Sequence, residues 1–215
     1  MNIRIKYSVA GRLSFLSHLE IMRLWQRAFL RSNLPICWTE GFNPRPKLSP
    51  GPARNVGIEG LSEFVDAELT TAVPVQSILT ELGSVMPDGL RVLDVKETAA
   101  SAPTLEVCIK EALYQISFRD GIPPFLPEAL QKFMSEESHL ITRISPKGEK
   151  QLDARSFILG CEIKDNSLYV SIKIGTGGSL RVGEFLTALG DWDIMTTTIR
   201  RIGLYAYRDG KRLVP

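Results

Sequence analysis

The order in which hydrophobic periods succeed one another constrains this chain more than any single motif. Residues 2–9 (NIRIKYSV) set Ile3 and Ile5 against Arg4 and Lys6, the two-residue period of a strand buried on one face. A helix then starts legibly. Ser17 is placed as N-cap, Glu20 completes a capping box, and Leu16 and Ile21 stand where a hydrophobic staple packs. The spacing predicts this helix from His18 to about Ser32, ending before Pro35. Strand signals return at 36–39 and 63–69 (EFVDAEL). A second helix is predicted over Val75–Val85, with Ile78, Leu79 and Leu82 at helical spacing, and Leu90–Val95 alternates after Pro87-Asp88-Gly89. Strand, helix, strand, strand, helix, strand is the split βαβ order of a ferredoxin-like domain.

After the small, polar stretch 98–104 (TAASAPT) the order roughly repeats. Residues 105–118 read as extended and Pro127–Ser135 as a helix. Phe157, Leu159, Cys161 and Ile163 alternate, as do Leu168, Val170, Ile172 and Ile174, with Asp165-Asn166 turning between them. Val182–Leu189 reads as a helix and 197–207 as a last strand. The predicted fold class is therefore α+β, with two tandem ferredoxin-like (βαββαβ) domains. Residues 1–97 and 105–215 form the domains, and 98–104 is the linker.

Composition narrows the function classes. A hydrophobic fraction of 44% with 23% charged residues suits a packed core rather than disorder. The N-terminus lacks the apolar centre of a secretion signal, and no run approaches the ~18 apolar residues of a membrane span. The expectation is a complete, soluble, cytoplasmic chain. Cys37, Cys108 and Cys161 are far apart and form no C-x-x-C pair, so neither a disulfide framework nor a metal site is expected, and no cofactor. Charge is uneven. Residues 1–54 hold nine Lys/Arg against Glu20 and Glu40, whereas 55–102 hold two bases against eight acids. Such asymmetry suits a basic surface for an anionic partner, or mutual neutralisation of the two stretches.

Two features sharpen the first possibility. Arg23, Arg27 and Arg31 recur every fourth residue and share one helix face, a repulsive spacing that phosphate oxygens would offset. The opposite face, with Ile21, Trp25, Ala28 and Phe29, is the predicted core side. Next, Glu40 to Gly57 (EGFNPRPKLSPGPARNVG) holds four prolines. Pro44 and Pro46 restrain Asn43 and Arg45 toward extended backbone, so the loop presents Arg45 and Lys47 rigidly, with Phe42 as anchor or stacking surface. His18, in the first helical turn, is the sole catalytic candidate, as general acid or base with Tyr7 or Lys6 assisting. No Ser/His/Asp or Cys/His arrangement supports nucleophilic catalysis. The Gly175-Thr176-Gly177-Gly178-Ser179 run precedes a helix but lacks a following Lys, and reads as a turn.

The run FLSHLEIMRLWQRAFLRSNLP (15–35), followed by EGFNPRPKLS (40–49), resembles the signature of the bacterial radical-SAM-linked protein family. The likeness extends through EFVDAEL to KQLDARSFI (150–158), nearly the whole chain. The family pattern usually continues the proline loop into a smooth apolar strand; here Ser49-Pro50-Gly51-Pro52 interrupts it. The helix and G-F-N-P-R-P arrangement is similar, more distantly, to CRISPR repeat-processing endoribonucleases, tandem ferredoxin-like RNA binders. The resemblance implies a companion to a radical SAM enzyme. The chain lacks the C-x-x-x-C-x-x-C that holds such an enzyme's cluster.

The leading expectation is a non-catalytic RNA-binding adaptor for tRNA or rRNA, with Arg23, Arg27, Arg31, Phe42, Asn43, Arg45 and Lys47 at the interface. A protein-interaction module docking on a radical SAM partner without RNA is the alternative. A metal-independent endoribonuclease using His18 comes third.

Overall fold

The computed structural model describes residues 1–145, 148–175, 178–190 and 196–215. It is an α+β protein in two units, Met1–Ile109 with Gly203–Pro215, and Lys110–Ile202.

In the first unit, β1 (Asn2–Val9) lies between β3 (Glu59–Glu68) and β4 (Leu90–Thr98), antiparallel to both. The short β2 (Leu48–Pro50) adds to the far side of β3, giving the order β4-β1-β3-β2. Three residues are all that the interrupted proline segment leaves for β2. Pro50 has no N–H to donate, which suits it to an edge position.

Alternation decides which face is buried. Ile3, Ile5, Tyr7 and Val9 point into a core completed by Ile21, Trp25 and Phe29 of α1 (His18–Arg31) and Ile78 and Leu82 of α2 (Val75–Val85). Trp25 is fully buried with its ring 5.0 Å from Tyr7 in an edge-on contact. The predicted capping box is present. Ser17 Oγ accepts from the Glu20 N–H at 3.3 Å, and the Ser17 N–H donates to Glu20 Oε2 at 2.8 Å. The Ser17 hydroxyl and N–H hold the Glu20 carboxyl below its ordinary value.

Two segments depart from expectation. Residues 36–39 form no strand, only the isolated bridges Ile36–Leu69 and Trp38–Pro46, and the strand that follows α1 is the later β2. Residues 105–108 are not extended: Leu105–Cys108 forms one helical turn, α3, and the strand begins only at Ile109. Leu105 and Ile109 are fully buried, so the chain must turn to seat both. Arg4 secures the preceding stretch. It pairs with Asp66 through two 2.8 Å bonds and donates to the Pro103 carbonyl at 3.2 Å. Residues 98–109 therefore belong with the first unit, as does the hairpin of β10 (Thr197–Arg208) with β11 (Lys211–Leu213) from Gly203 onward.

The second unit has the order β10-β5-β9-β8, from β5 (Ile109–Phe118), β8 (Ile158–Lys164) and β9 (Ser167–Lys173). Asp165 and Asn166 turn between β8 and β9 with φ of 48° and 57°, where Asp and Asn are better tolerated than most residues. The helices α4 (Leu126–Ser135) and α5 (Val182–Leu189) meet through Phe133 and Phe185, ring centroids 5.4 Å apart. A hairpin of β6 (Leu140–Ser145) with β7 (Gly148–Asp153) follows α4. Arg143 fastens it to α5 through Glu184 at 2.6 and 2.7 Å. Thr176 and Gly177 of the glycine run lie outside the described residues.

Among the described residues no helix is long and apolar enough to cross a membrane, and no three His, Cys, Asp or Glu side chains gather as metal ligands would.

Candidate nucleic-acid interface

The proline segment is a braced hairpin. Its base is fixed to β3, where the Cys37 N–H donates to the Glu68 carbonyl at 2.7 Å. The limbs pair through Lys47 N–H to Cys37 carbonyl and Thr39 N–H to Arg45 carbonyl, both 2.8 Å. The Arg45 N–H donates to Thr39 Oγ1 at 3.0 Å, and Trp38 bridges Pro46. Gly41, at φ +114°, supplies the left-handed turn that a side chain would strain. The tip then projects Phe42, fully exposed, with Asn43 and Arg45 also exposed and Trp38 48% exposed below them. Two exposed aromatic rings and an arginine carried on one restrained hairpin can stack bases and pair with a phosphate.

The other expected cations are distributed differently. Lys47 forms an ion pair with Glu68, which raises its pKa and lowers that of Glu68. Arg31 donates to the Val85 carbonyl at 2.7 Å and closes the C-terminal end of α2. Arg23 and Arg27 remain exposed on the outer face of α1. Arg54 is buried, donating to the carbonyls of Ser14, Asn55 and Ile58, and so pins its own loop. Neutralisation of the two charged stretches thus accounts for Arg4 and Lys47, while Arg23, Arg27 and Arg45 stay at the surface.

His18 is half-buried at the start of α1. Its small pocket, about 10 Å³, is shared with Tyr7, Arg54 and Glu63. That is room for about one water molecule. Tyr7 lies on the helix-covered face of β1, and Lys6 alternates to the opposite face, so only Tyr7 accompanies His18.

Sequence reasoning missed Trp38 and the open face of the sheet. Directly paired strand residues share a face. Thr98, Asn2 and Glu68 thus form one row, and Lys96, Arg4, Asp66 and Ser49 the next. Alternation marked Arg4 and Lys6 as outward, but nothing in the sequence said what would lie beside them.

These features define an α+β protein whose first unit carries a rigid aromatic and basic hairpin at the edge of an antiparallel sheet. The chain belongs to the family described as "Uncharacterized protein conserved in bacteria (DUF2344)", which matches residues 2–182. No curated protein matches it.

Proposed function

We propose that this chain is a non-catalytic RNA-binding adaptor built from two ferredoxin-like domains. Each strand order, β4-β1-β3-β2 and β10-β5-β9-β8, puts the first and third strands of a βαββαβ run at the centre, which supports that fold reading. The observation that carries the function is the braced hairpin, which holds Phe42, Trp38 and Arg45 exposed at little entropic cost. Arg23 and Arg27 add phosphate contacts on α1. The radical SAM enzyme as partner is an expectation from sequence resemblance, and RNA of the tRNA or rRNA kind is the ligand.

The test is anisotropy of labelled single-stranded and structured RNA at about 50 mM salt. Affinity falls with salt by about 0.7 log units per log unit for each phosphate neutralised. Phe42→Ala weakens binding about 5- to 150-fold, the equivalent of ~1–3 kcal/mol for a lost stacking contact, without lowering stability. If wild type binds no better than an unrelated protein of equal charge, or Phe42→Ala and Arg45→Glu bind as wild type does, the reading is wrong.

Exposed Phe15 and Leu19, flanking the start of α1, favour a second reading, a docking face for a protein partner. Nuclease-resistant co-purification with a radical SAM protein would distinguish it. The endoribonuclease reading rests on His18 and Tyr7 alone, and predicts chelator-resistant cleavage that His18→Ala slows at least ~10²-fold.

A further inference from the structure

The open face of the first unit's sheet carries a cleft of about 390 Å³. This lies toward the lower end of the ~300–1,000 Å³ usual for small-ligand sites. Its floor is the end of the sheet, where Thr98, Asn2 and Glu68 stand side by side, with Asp66 and Ser49 in the next row. Its roof is the chain leaving β4, with Ala99, Ala100 and Ala102. Arg4 holds that roof down through the Pro103 carbonyl.

The chemistry of the lining is selective. Both carboxylates are already matched, Asp66 by the two bonds from Arg4 and Glu68 by Lys47. A cation would find them taken, and an anion would meet them at close range. What remains is a wall dominated by methyl and methylene groups. It is punctuated by four neutral polar side chains: Asn2, Ser49, Thr98 and Thr104. Among the described residues, none of the four spends its side chain on a hydrogen bond within the protein. A purely aliphatic ligand would bury those groups without satisfying them. A flat neutral heteroaromatic ring, apolar on its faces and polar on its edge, meets both requirements. The carboxamide of Asn2 carries a donor and an acceptor side by side, the pattern that reads the edge of a base.

We infer that this cleft binds a nucleobase, with Asn2 reading its edge and the alanine roof covering one face. The base comes either from a free nucleoside or from an unstacked nucleotide of an RNA strand. Lys47 joins the cleft to the hairpin, lining the one and closing the limbs of the other. A strand with one base in the cleft can therefore continue toward Arg45 and Phe42. The RNA form of the inference rests on the proposed function, and the nucleoside form stands without it.

The full chain, ¹⁵N-labelled, is titrated with adenosine, guanosine, cytidine and uridine in turn, while anisotropy follows RNA binding. Wild type, Asn2→Ala, Ala102→Trp, Thr98→Val and Phe42→Ala are compared. At least one nucleoside shifts the amides of Asn2, Ser49, Glu68 and residues 98–104. Asn2→Ala weakens that binding roughly tenfold, the size of one lost paired contact to a base edge. Ala102→Trp abolishes it by filling the cleft. Thr98→Val, which keeps the β-branched shape, serves should the tryptophan disturb the fold. Nucleoside binding without RNA binding keeps the cleft and removes the RNA reading. RNA binding that depends on Phe42, but is untouched by Asn2→Ala and Thr98→Val, with no nucleoside bound at millimolar concentration, overturns the cleft and leaves the RNA reading intact.

Discussion

Arg4→Leu offers the most direct test of how the open face is held together. Arg4 and Asp66 are joined by two 2.8 Å bonds, their side chains 10% and 22% exposed, and a third bond at 3.2 Å reaches the Pro103 carbonyl. Hydrogen bonding and the charge of Asp66 hold the Arg4 guanidinium above its ordinary value. Removing one partner of a fully buried pair costs about 3–5 kcal/mol, because the other charge is left without compensation. Water can partly recover Asp66, which lowers the expectation to about 2–3 kcal/mol, and the lost tether adds about 1 kcal/mol. For a chain of this size each kcal/mol moves the melting temperature by about 2–4 °C, so a fall of roughly 6–16 °C is expected. Arg4→Leu with Asp66→Leu removes both charges and recovers most of that loss, since no unpaired charge remains. Hydrogen exchange at residues 99–104 separates the effects: it rises in both variants, because neither retains the bond to Pro103. Calorimetry with a single Arg4→Leu within about 0.5 kcal/mol of wild type, the range of an ordinary surface substitution, would refute the reasoning. So would a double variant no more stable than the single one.

Two glycines give opposite outcomes. At Gly89, with φ +90°, a Cβ would approach the Ala10 carbonyl oxygen to 2.8 Å, so Gly89→Ala costs about 1–3 kcal/mol by chemical denaturation. At Gly83, inside α2 with open space around it, Gly83→Ala stabilises by about 0.5–1 kcal/mol. Acid dependence follows from Glu184. Burial pushes its carboxyl up, but Arg143 and the Arg181 N–H outweigh burial and hold it below its ordinary value of 4.5. Its stabilisation is therefore complete above about pH 4.5 and lost as pH falls through the depressed value, and Glu184→Gln flattens that part of the pH–stability curve measured by urea titration.

Most of the regular structure was legible in the sequence because local physics decides it. The capping box at Ser17, the 3.6-residue spacing of Ile21, Trp25, Ala28 and Phe29, and the two-residue alternation of β1 and β9 each need only neighbours along the chain. The strand β8 falls where expected, but its alternating Leu159 and Ile163 are exposed and Ile158 is buried instead. The helices Val75–Val85 and Val182–Leu189 fall where periodicity put them. Exposed Phe42, Asn43 and Arg45 likewise follow from proline restraint on a short loop. The hairpin of β6 and β7 did not show, since its strands are short and largely polar and give alternation little contrast.

What the tertiary structure alone decided is the pairing of groups distant in sequence. Arg23, Arg27 and Arg31 are equivalent by spacing, yet Arg31 is drawn to the end of α2 because that end's unpaired carbonyls lie within its reach. Lys47 reads as a free loop cation until β3 brings Glu68 beside it. The stretch 98–104 reads as a linker because it is small and polar, but Arg4 and the buried Leu105 bind it to the first unit. The cleft beneath it is composed from four separate stretches of chain, so no local pattern contains it. Periodicity reports which face of an element is buried; it carries no information about what that face, or the open one, will meet.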